Sequence, residues 1–230
     1  MKKVKVLTGY FPAFPAKHLS EDQFRAYGTQ LREAVGDDNI RVMGAGYTLS
    51  DCWAHQFLVD MPLLLPSDRN PASDRFINAG AMVASNIAIL QRFEWLRMAA
   101  LIDPEVDIWV WLEYTIMKQP GVTGPVIKKF LEEVAEYCHA AISIPGCWPK
   151  APVDDGAICW RFCGSTWVCP AYLVASFSKA AKHVAAWRTR ATGTISWDVN
   201  TLAYLELLDV LPIRWYAGNH DQTQLTNFRG

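Results

Sequence analysis

Glu113 is the side chain of this sequence best placed for chemistry. In Asp107-Ile108-Trp109-Val110-Trp111-Leu112-Glu113-Tyr114-Thr115-Ile116 an apolar run ends in one carboxylate and then turns apolar again. Asp103-Pro104 precedes the run and Pro120-Gly121 follows it. A short run between such breakers, rich in Val, Ile, Trp and Tyr, reads as a buried strand. Burying an unpaired charge is costly, so a lone acid at the end of a buried strand needs a partner. In open α/β sheets the carboxyl ends of the strands face the crevice where ligands bind. Glu113 is therefore expected to ligate a metal or a substrate. The alternative is a carboxylate paired with a nearby Arg, or simply exposed at the strand end.

Other chemistry-bearing groups are scattered along the chain. Thr8-Gly9-Tyr10 closes a first apolar run, Gly164-Ser165-Thr166 forms a small polar turn, and Asn219-His220-Asp221 lies near the C-terminus. Asp198 and Glu206 lie eight apart, about two helical turns, so roughly on one face. Asp198 is either a working acid or a charge favoured by a helix N-terminus. Arg75, Arg92 and Arg97 could grip a diphosphate bidentately or serve as ion-pair partners. Trp148, Trp160, Trp167, Trp197, Trp215 and Tyr216 fall near loop or strand ends, where a ring stacks on a sugar or a nucleobase, or packs in the core. No GxSxG elbow, Walker A loop or HExxH is present, and Gly9, Gly44 and Gly46 make no GxGxxG fingerprint.

Composition narrows the classes. The 230 residues are 51% hydrophobic and 12% aromatic, enough for a substantial core, and the formal net charge of −1 lacks the basic footprint of a nucleic-acid protein. Met1-Lys2-Lys3-Val4-Lys5 leads straight into a short strand-like run, so no signal peptide is expected, and no window holds ~18 uninterrupted apolar residues, so no transmembrane helix is expected. A cytoplasmic location follows as an expectation. The six cysteines contain no CxxC pair and are expected to be buried, reduced thiols rather than disulfides or a structural zinc site.

The elements that must position these groups alternate in type. Lys5–Phe11 reads as a strand, and Ser20 with Gln23 three later forms a capping box opening a helix through Val35. Ile40–Gly44 is a second strand, and the β-α-β order predicts a parallel pair. Residues 47–76 read as irregular and 78–101 as one long buried helix. The Trp109–Ile116 strand, a 123–138 helix and an Ala141–Gly146 strand follow. Ala157–Gly164 reads as a further strand, Pro170–Trp187 and Thr194–Leu208 as helices, and Ile213–Tyr216 as a late strand. The tail 218–230 is polar and expected to be mobile. The whole chain, 1–230, reads as a single α/β domain with a mixed, mainly parallel central sheet flanked by helices.

In this order of elements the chain resembles the GT-A, Rossmann-like class of nucleotide-sugar-dependent glycosyltransferases, and among them the small, glycogenin-like members. Trp111-Leu112-Glu113-Tyr114-Thr115 stands where that family carries an Asp-x-Asp motif, Gly164-Ser165-Thr166 where it has a Gly turn, Trp197-Asp198-Val199-Asn200 where it has an acidic segment, and Asn219-His220-Asp221 where it has a late His. One acid, Glu113, stands in place of two. The resemblance implies transfer of a sugar from a nucleotide-diphosphate sugar donor to an acceptor. It implies Glu113 and Asp198 as catalytic residues and Thr8, Gly9, Tyr10, Arg75, Arg92, Gly164, Ser165 and Asn200 as donor-binding residues. Glu113 and His220 would be ligands of a divalent Mn²⁺ or Mg²⁺, and the tail a lid that brings His220 to the diphosphate. The competing expectations are an inactive nucleotide-sugar-binding or regulatory module of the same fold, and another α/β enzyme such as a nucleotidyltransferase or hydrolase.

Overall fold

In the computed structural model the described residues are 2–10, 20–59, 79–137, 140–150, 153, 157–193 and 195–229. Six strands form one sheet in the order β2-β1-β3-β5-β4-β6. They are β1 (Val4–Gly9), β2 (Ile40–Met43), β3 (Ile108–Leu112), β4 (Ile142–Gly146), β5 (Thr166–Pro170) and β6 (Ile213–Ala217). β1 pairs in parallel with β2 and β3, and β4 with β6, whereas β5 runs antiparallel to both β3 and β4. The sheet is thus mixed, with parallel pairs predominating among the described residues. Because only β5 is reversed, the C-terminal ends of β1, β3, β4 and β6 and the N-terminal end of β5 share one edge.

Every residue of β3 is buried, as expected of a strand covered on both faces. Alternation sorts its side chains. Ile108, Val110 and Leu112 join the core beneath α1 (Glu21–Val35) and α5 (Gly124–Tyr137). Trp109 and Trp111 join the larger core on the opposite face, with α3 (Ala79–Leu90), α4 (Arg92–Ile102), α6 (Val174–Thr192) and α7 (Asp198–Leu207). Helices therefore cover both faces. The capping box at the start of α1 is formed: Gln23 N donates to Ser20 Oγ at 3.2 Å, and Ser20 N donates to Gln23 Oε1 at 2.8 Å. A short helix, α2 (Trp53–Val59), occupies part of the stretch expected to be irregular.

Three expectations need correction. The 78–101 helix is two helices with a turn at Gln91, whose side-chain Oε1 accepts a hydrogen bond from Trp53 N at 3.0 Å. Ala157–Gly164 is not a strand. Its backbone makes single bonds to the end of β4, Cys163 N to Pro145 O at 2.7 Å and Cys147 N to Trp160 O at 3.1 Å. Arg161 turns away to a bidentate pair with Glu206 at 2.7 and 2.9 Å. The strand is instead β5, immediately downstream. The third correction is the tail, which is packed rather than mobile. Leu225 and Phe228 are fully buried, and Phe228 meets Phe130 and Tyr216 edge-on at 5.4 and 5.7 Å. A short helix, α8 (Thr223–Thr226), carries buried Gln224, whose Oε1 accepts hydrogen bonds from Ser165 Oγ at 2.6 Å and Thr166 Oγ1 at 2.9 Å.

Candidate active site

The β3–β5 register sets the centre of the candidate site. Trp111 lies opposite Trp167 and Leu112 opposite Thr166, so the chain leaving β3 runs beside the turn entering β5. Glu113 N donates to Ser165 O at 2.8 Å. Glu113 is thereby fixed next to Gly164-Ser165 on the shared C-terminal edge. Its carboxylate has no ion-pair or hydrogen-bond partner among the described residues.

A cleft runs along this edge in two halves that share Ile89, Arg92, Glu113 and Thr115. The first half is mostly apolar and aromatic, lined by Gly9, Phe24, Trp95, Trp111 and Tyr114. Gly9 is required there by close approach, because a Cβ at that position would meet the Trp95 ring at 2.0 Å. Tyr10 sits beside this half, its ring 5.1 Å from that of Tyr114. The second half is polar, lined by Lys118, Gln119, Trp160, Gly164, Ser165, Trp197, Asp198 and His220. Lys118 is exposed, with no ion pair among the described residues.

Arg92 and Asp198 face each other beneath the cleft. Arg92 Nη1 donates to Asp198 Oδ2 at 2.7 Å and also to Gly164 O, while Nε donates to Ile89 O at 2.9 Å. The guanidinium stands 5.0 Å from the Trp111 ring. Both side chains are under a tenth exposed. Burial raises the Asp198 carboxyl above its ordinary range, and Arg92 opposes that shift. The two charges offset one another and pin the start of α7 to the Gly164 turn and to α4. A Cβ at Gly164 would meet Asp198 Oδ2 at 2.6 Å, so glycine is needed for this approach.

The structure brings Gly9, Arg92, Glu113, Gly164, Ser165, Asp198 and His220 to one cleft. Two expected donor-binding residues do not reach it. Thr8 is fully buried within β1. Asn200 is also fully buried, its amide accepting from Cys159 N and donating to Ala157 O, both at 2.8 Å, so it secures the loop before the Gly164 turn. Arg75 lies outside the described residues. Arg97 pairs with Glu94, and Glu206 with Arg161 rather than sharing a site with Asp198. His220 lies edge-on to Trp160 at 4.6 Å and close to two thiols, Cys147 and Cys163. Burial pushes both thiols up, which disfavours the thiolate a cysteine nucleophile needs. Sequence reasoning missed Lys118, Trp95 and Tyr114. The one available signal was that Tyr114 and Lys118 follow Glu113 closely in the chain.

The sheet order, the single reversed strand and the cleft along the C-terminal edge together define a Rossmann-like α/β fold. The chain is similar to a solved structure described as the crystal structure of a glycosyltransferase involved in the glycosylation of the major capsid of PBCV-1, with a TM-score of 0.50 and 12% identity over 95% of this chain and 82% of that one. At that identity the likeness is one of fold. No protein-family model and no curated protein matches the chain. Among the described residues no helix is long and apolar enough to cross a membrane.

Proposed function

We propose that this protein is a glycosyltransferase of the GT-A class, moving a sugar from a nucleotide-diphosphate donor to an acceptor. The observation that carries the reading is the two-part cleft at the C-terminal strand edge, aromatic on one side and polar on the other. Ligands of open α/β sheets bind at this edge. The aromatic half suits a flat nucleobase against half-buried Phe24 and Tyr114, with buried Trp95 and Trp111 completing its apolar lining. The polar half suits a sugar diphosphate, with half-buried Trp160 as a face for the sugar ring.

Roles follow from which charges are already spent. Arg92 and Asp198 neutralise one another, so they act as positioning residues that hold the Gly164–Ser165 turn. Among the described residues Lys118 is a cleft cation without an ion pair, placed to offset charge on the departing nucleoside diphosphate. Glu113 is a cleft carboxylate without an ion pair among the described residues. The donor set fits a divalent cation, because Mg²⁺ and Mn²⁺ accept one protein carboxylate when substrate phosphates supply further oxygens. Such a cation, when bound, would stabilise the diphosphate leaving group. Among the described residues Glu113 is not part of a three-residue metal-like cluster, which favours one other reading: a nucleotide-sugar-binding module without transfer.

Release of nucleoside diphosphate from a panel of nucleotide sugars, with Mn²⁺ or Mg²⁺ and a mixed acceptor pool, separates the two. The transferase reading predicts metal-dependent release that Glu113→Gln abolishes while the protein stays folded. Binding without release by the wild-type protein would leave the module. Unchanged turnover and unchanged metal dependence in folded Glu113→Gln would remove Glu113 from the site.

A further inference from the structure

The same edge of the sheet holds a cluster that the proposed transfer does not use. Cys147 follows the end of β4, Cys163 lies in the turn before β5, and His220 lies beyond β6. Backbone bonds bring the three segments together: Cys163 N donates to Pro145 O at 2.7 Å and Gly218 N to Gly146 O at 3.1 Å. The two Sγ atoms are 3.4 Å apart. With an imidazole nitrogen of His220, the three donor atoms all lie within 4.8 Å of one another. We propose that Cys147, Cys163 and His220 form a zinc site, which ties the end of β4, the Gly164 turn and the C-terminal segment into one wall of the cleft.

Geometry and donor chemistry both favour this occupant. Zn–S bonds of about 2.3 Å at a tetrahedral angle place two thiolates about 3.8 Å apart. The observed separation is within a small side-chain rotation of that value. A disulfide would need the sulfurs about 2.05 Å apart and would give the imidazole no role. Two thiolates and an imidazole select zinc over Mg²⁺ or Mn²⁺, which take oxygen ligands. Edge-on packing against Trp160 orients the imidazole. Asn219 N donates to Thr223 Oγ1 at 2.9 Å and Thr223 N to Asp221 Oδ1 at 2.7 Å, which stiffens the segment carrying His220. Cys147 is only half-buried and lines a surface recess with Gly146, Asn219 and Thr223, which gives the ion an entry path. Binding would release the two thiol protons to solvent, and the fourth position would be filled by water or by Asn219 Oδ1, 3.4 Å from Cys147 Sγ.

The test uses the full chain, purified reduced, dialysed against a chelator and then titrated with Zn²⁺ alone. Bound metal is counted by mass spectrometry and affinity read by competition with a chromophoric chelator. Co²⁺ in place of Zn²⁺ reports thiolate ligation by its charge-transfer absorption. The expected result is one zinc per chain, with Cys147→Ser and His220→Asn each weakening binding by about 10–100-fold or more while far-UV circular dichroism stays native. The charge-transfer band should weaken in Cys147→Ser and persist in His220→Asn, and Glu113→Gln should bind zinc as the wild type does. A folded, reduced wild-type chain that takes up no zinc would overturn the proposal. So would zinc held equally by wild type, Cys147→Ser and His220→Asn, or a Cys147–Cys163 disulfide in the protein as isolated with no metal bound. No nucleotide enters this experiment, so its outcome is independent of the transferase reading.

Discussion

Replacing Arg92 by Met tests whether the floor of the cleft is held by a buried, mutually neutralising pair. The substitution keeps much of the apolar stem and removes the charge. It leaves Asp198, 4% exposed, without the guanidinium 2.7 Å away, and leaves Gly164 O without its donor. Removing one partner of a buried ion pair costs about 3–5 kcal/mol. In a chain of this size each kcal/mol moves Tm by about 2–4 °C, so a fall of about 6–20 °C is expected. The deficit should depend on pH. Burial already raises the Asp198 carboxyl, Arg92 opposing, and without Arg92 it rises further. A raised folded-state pKa removes the penalty below the unfolded value of about 3.9 and imposes it progressively as pH rises through the folded value. The gap between wild type and Arg92→Met should therefore be small near pH 4 and widen towards neutrality. Asp198→Asn at neutral pH should also destabilise, and the double variant should cost less than the sum of the two singles. Urea and thermal unfolding of all four proteins across pH measures this. A loss under about 1 kcal/mol in both singles, or a deficit that does not change with pH, would refute the pair as a buried brace.

Other expectations follow from the same contacts. Gly9→Ala should force the Trp95 ring out of place, costing about 1–3 kcal/mol and weakening nucleotide binding more than unfolding measurements alone suggest. Titration calorimetry with a nucleoside diphosphate reads the binding effect. Phe228→Ala should cost about 3–5 kcal/mol, because the tail is part of the core, and a wild-type unfolding curve in that variant would restore the mobile-tail expectation. Asp103 is opposed by its burial but held below the usual carboxylate range by Arg41 and Lys5, at 2.8 and 3.2 Å. A depressed folded-state pKa contributes stability above the unfolded value that is lost as pH falls through the folded one. Asp103→Asn should therefore be about 1–3 kcal/mol less stable at neutral pH and converge on the wild type well below pH 4, as unfolding curves would read.

Much of the scaffold was legible because local signals agreed with the tertiary outcome. Ser20 and Gln23 announced the start of α1, and the unbroken apolar run before Glu113 announced a central strand. β5 was hidden by its neighbour. Ile158–Cys163 looks more strand-like than Thr166–Pro170, yet Arg161 is drawn to Glu206 on α7, a contact no local pattern encodes. The tail read as polar because its two anchors, Leu225 and Phe228, are isolated among Asn, Gln and Thr. Their burial depends on a pocket made by α5 and β6. For the site, the ends of apolar runs led to Gly9 and Glu113. They could not reveal that Arg92 pairs with Asp198, that Asn200 turns inward, or that Lys118 has no ion pair among the described residues. The Cys147–Cys163–His220 cluster was equally hidden, since only the β5–β4–β6 order brings those segments together.

On the proposed function the cleft binds a nucleoside diphosphate with its base in the aromatic half and its phosphates beside Lys118 and Glu113. A thermal-shift panel of nucleoside diphosphates, matching nucleosides, pyrophosphate and nucleotide sugars, with and without Mn²⁺, tests this most directly. A ligand at about 100 times its Kd stabilises the fold by about 2.7 kcal/mol. A clear rise in Tm is expected with at least one nucleoside diphosphate and its sugar conjugate, larger with Mn²⁺, smaller in Lys118→Met, and without Mn²⁺ dependence in Glu113→Gln. No shift with any nucleoside diphosphate or nucleotide sugar, or equal shifts in the wild type and both variants, would contradict it.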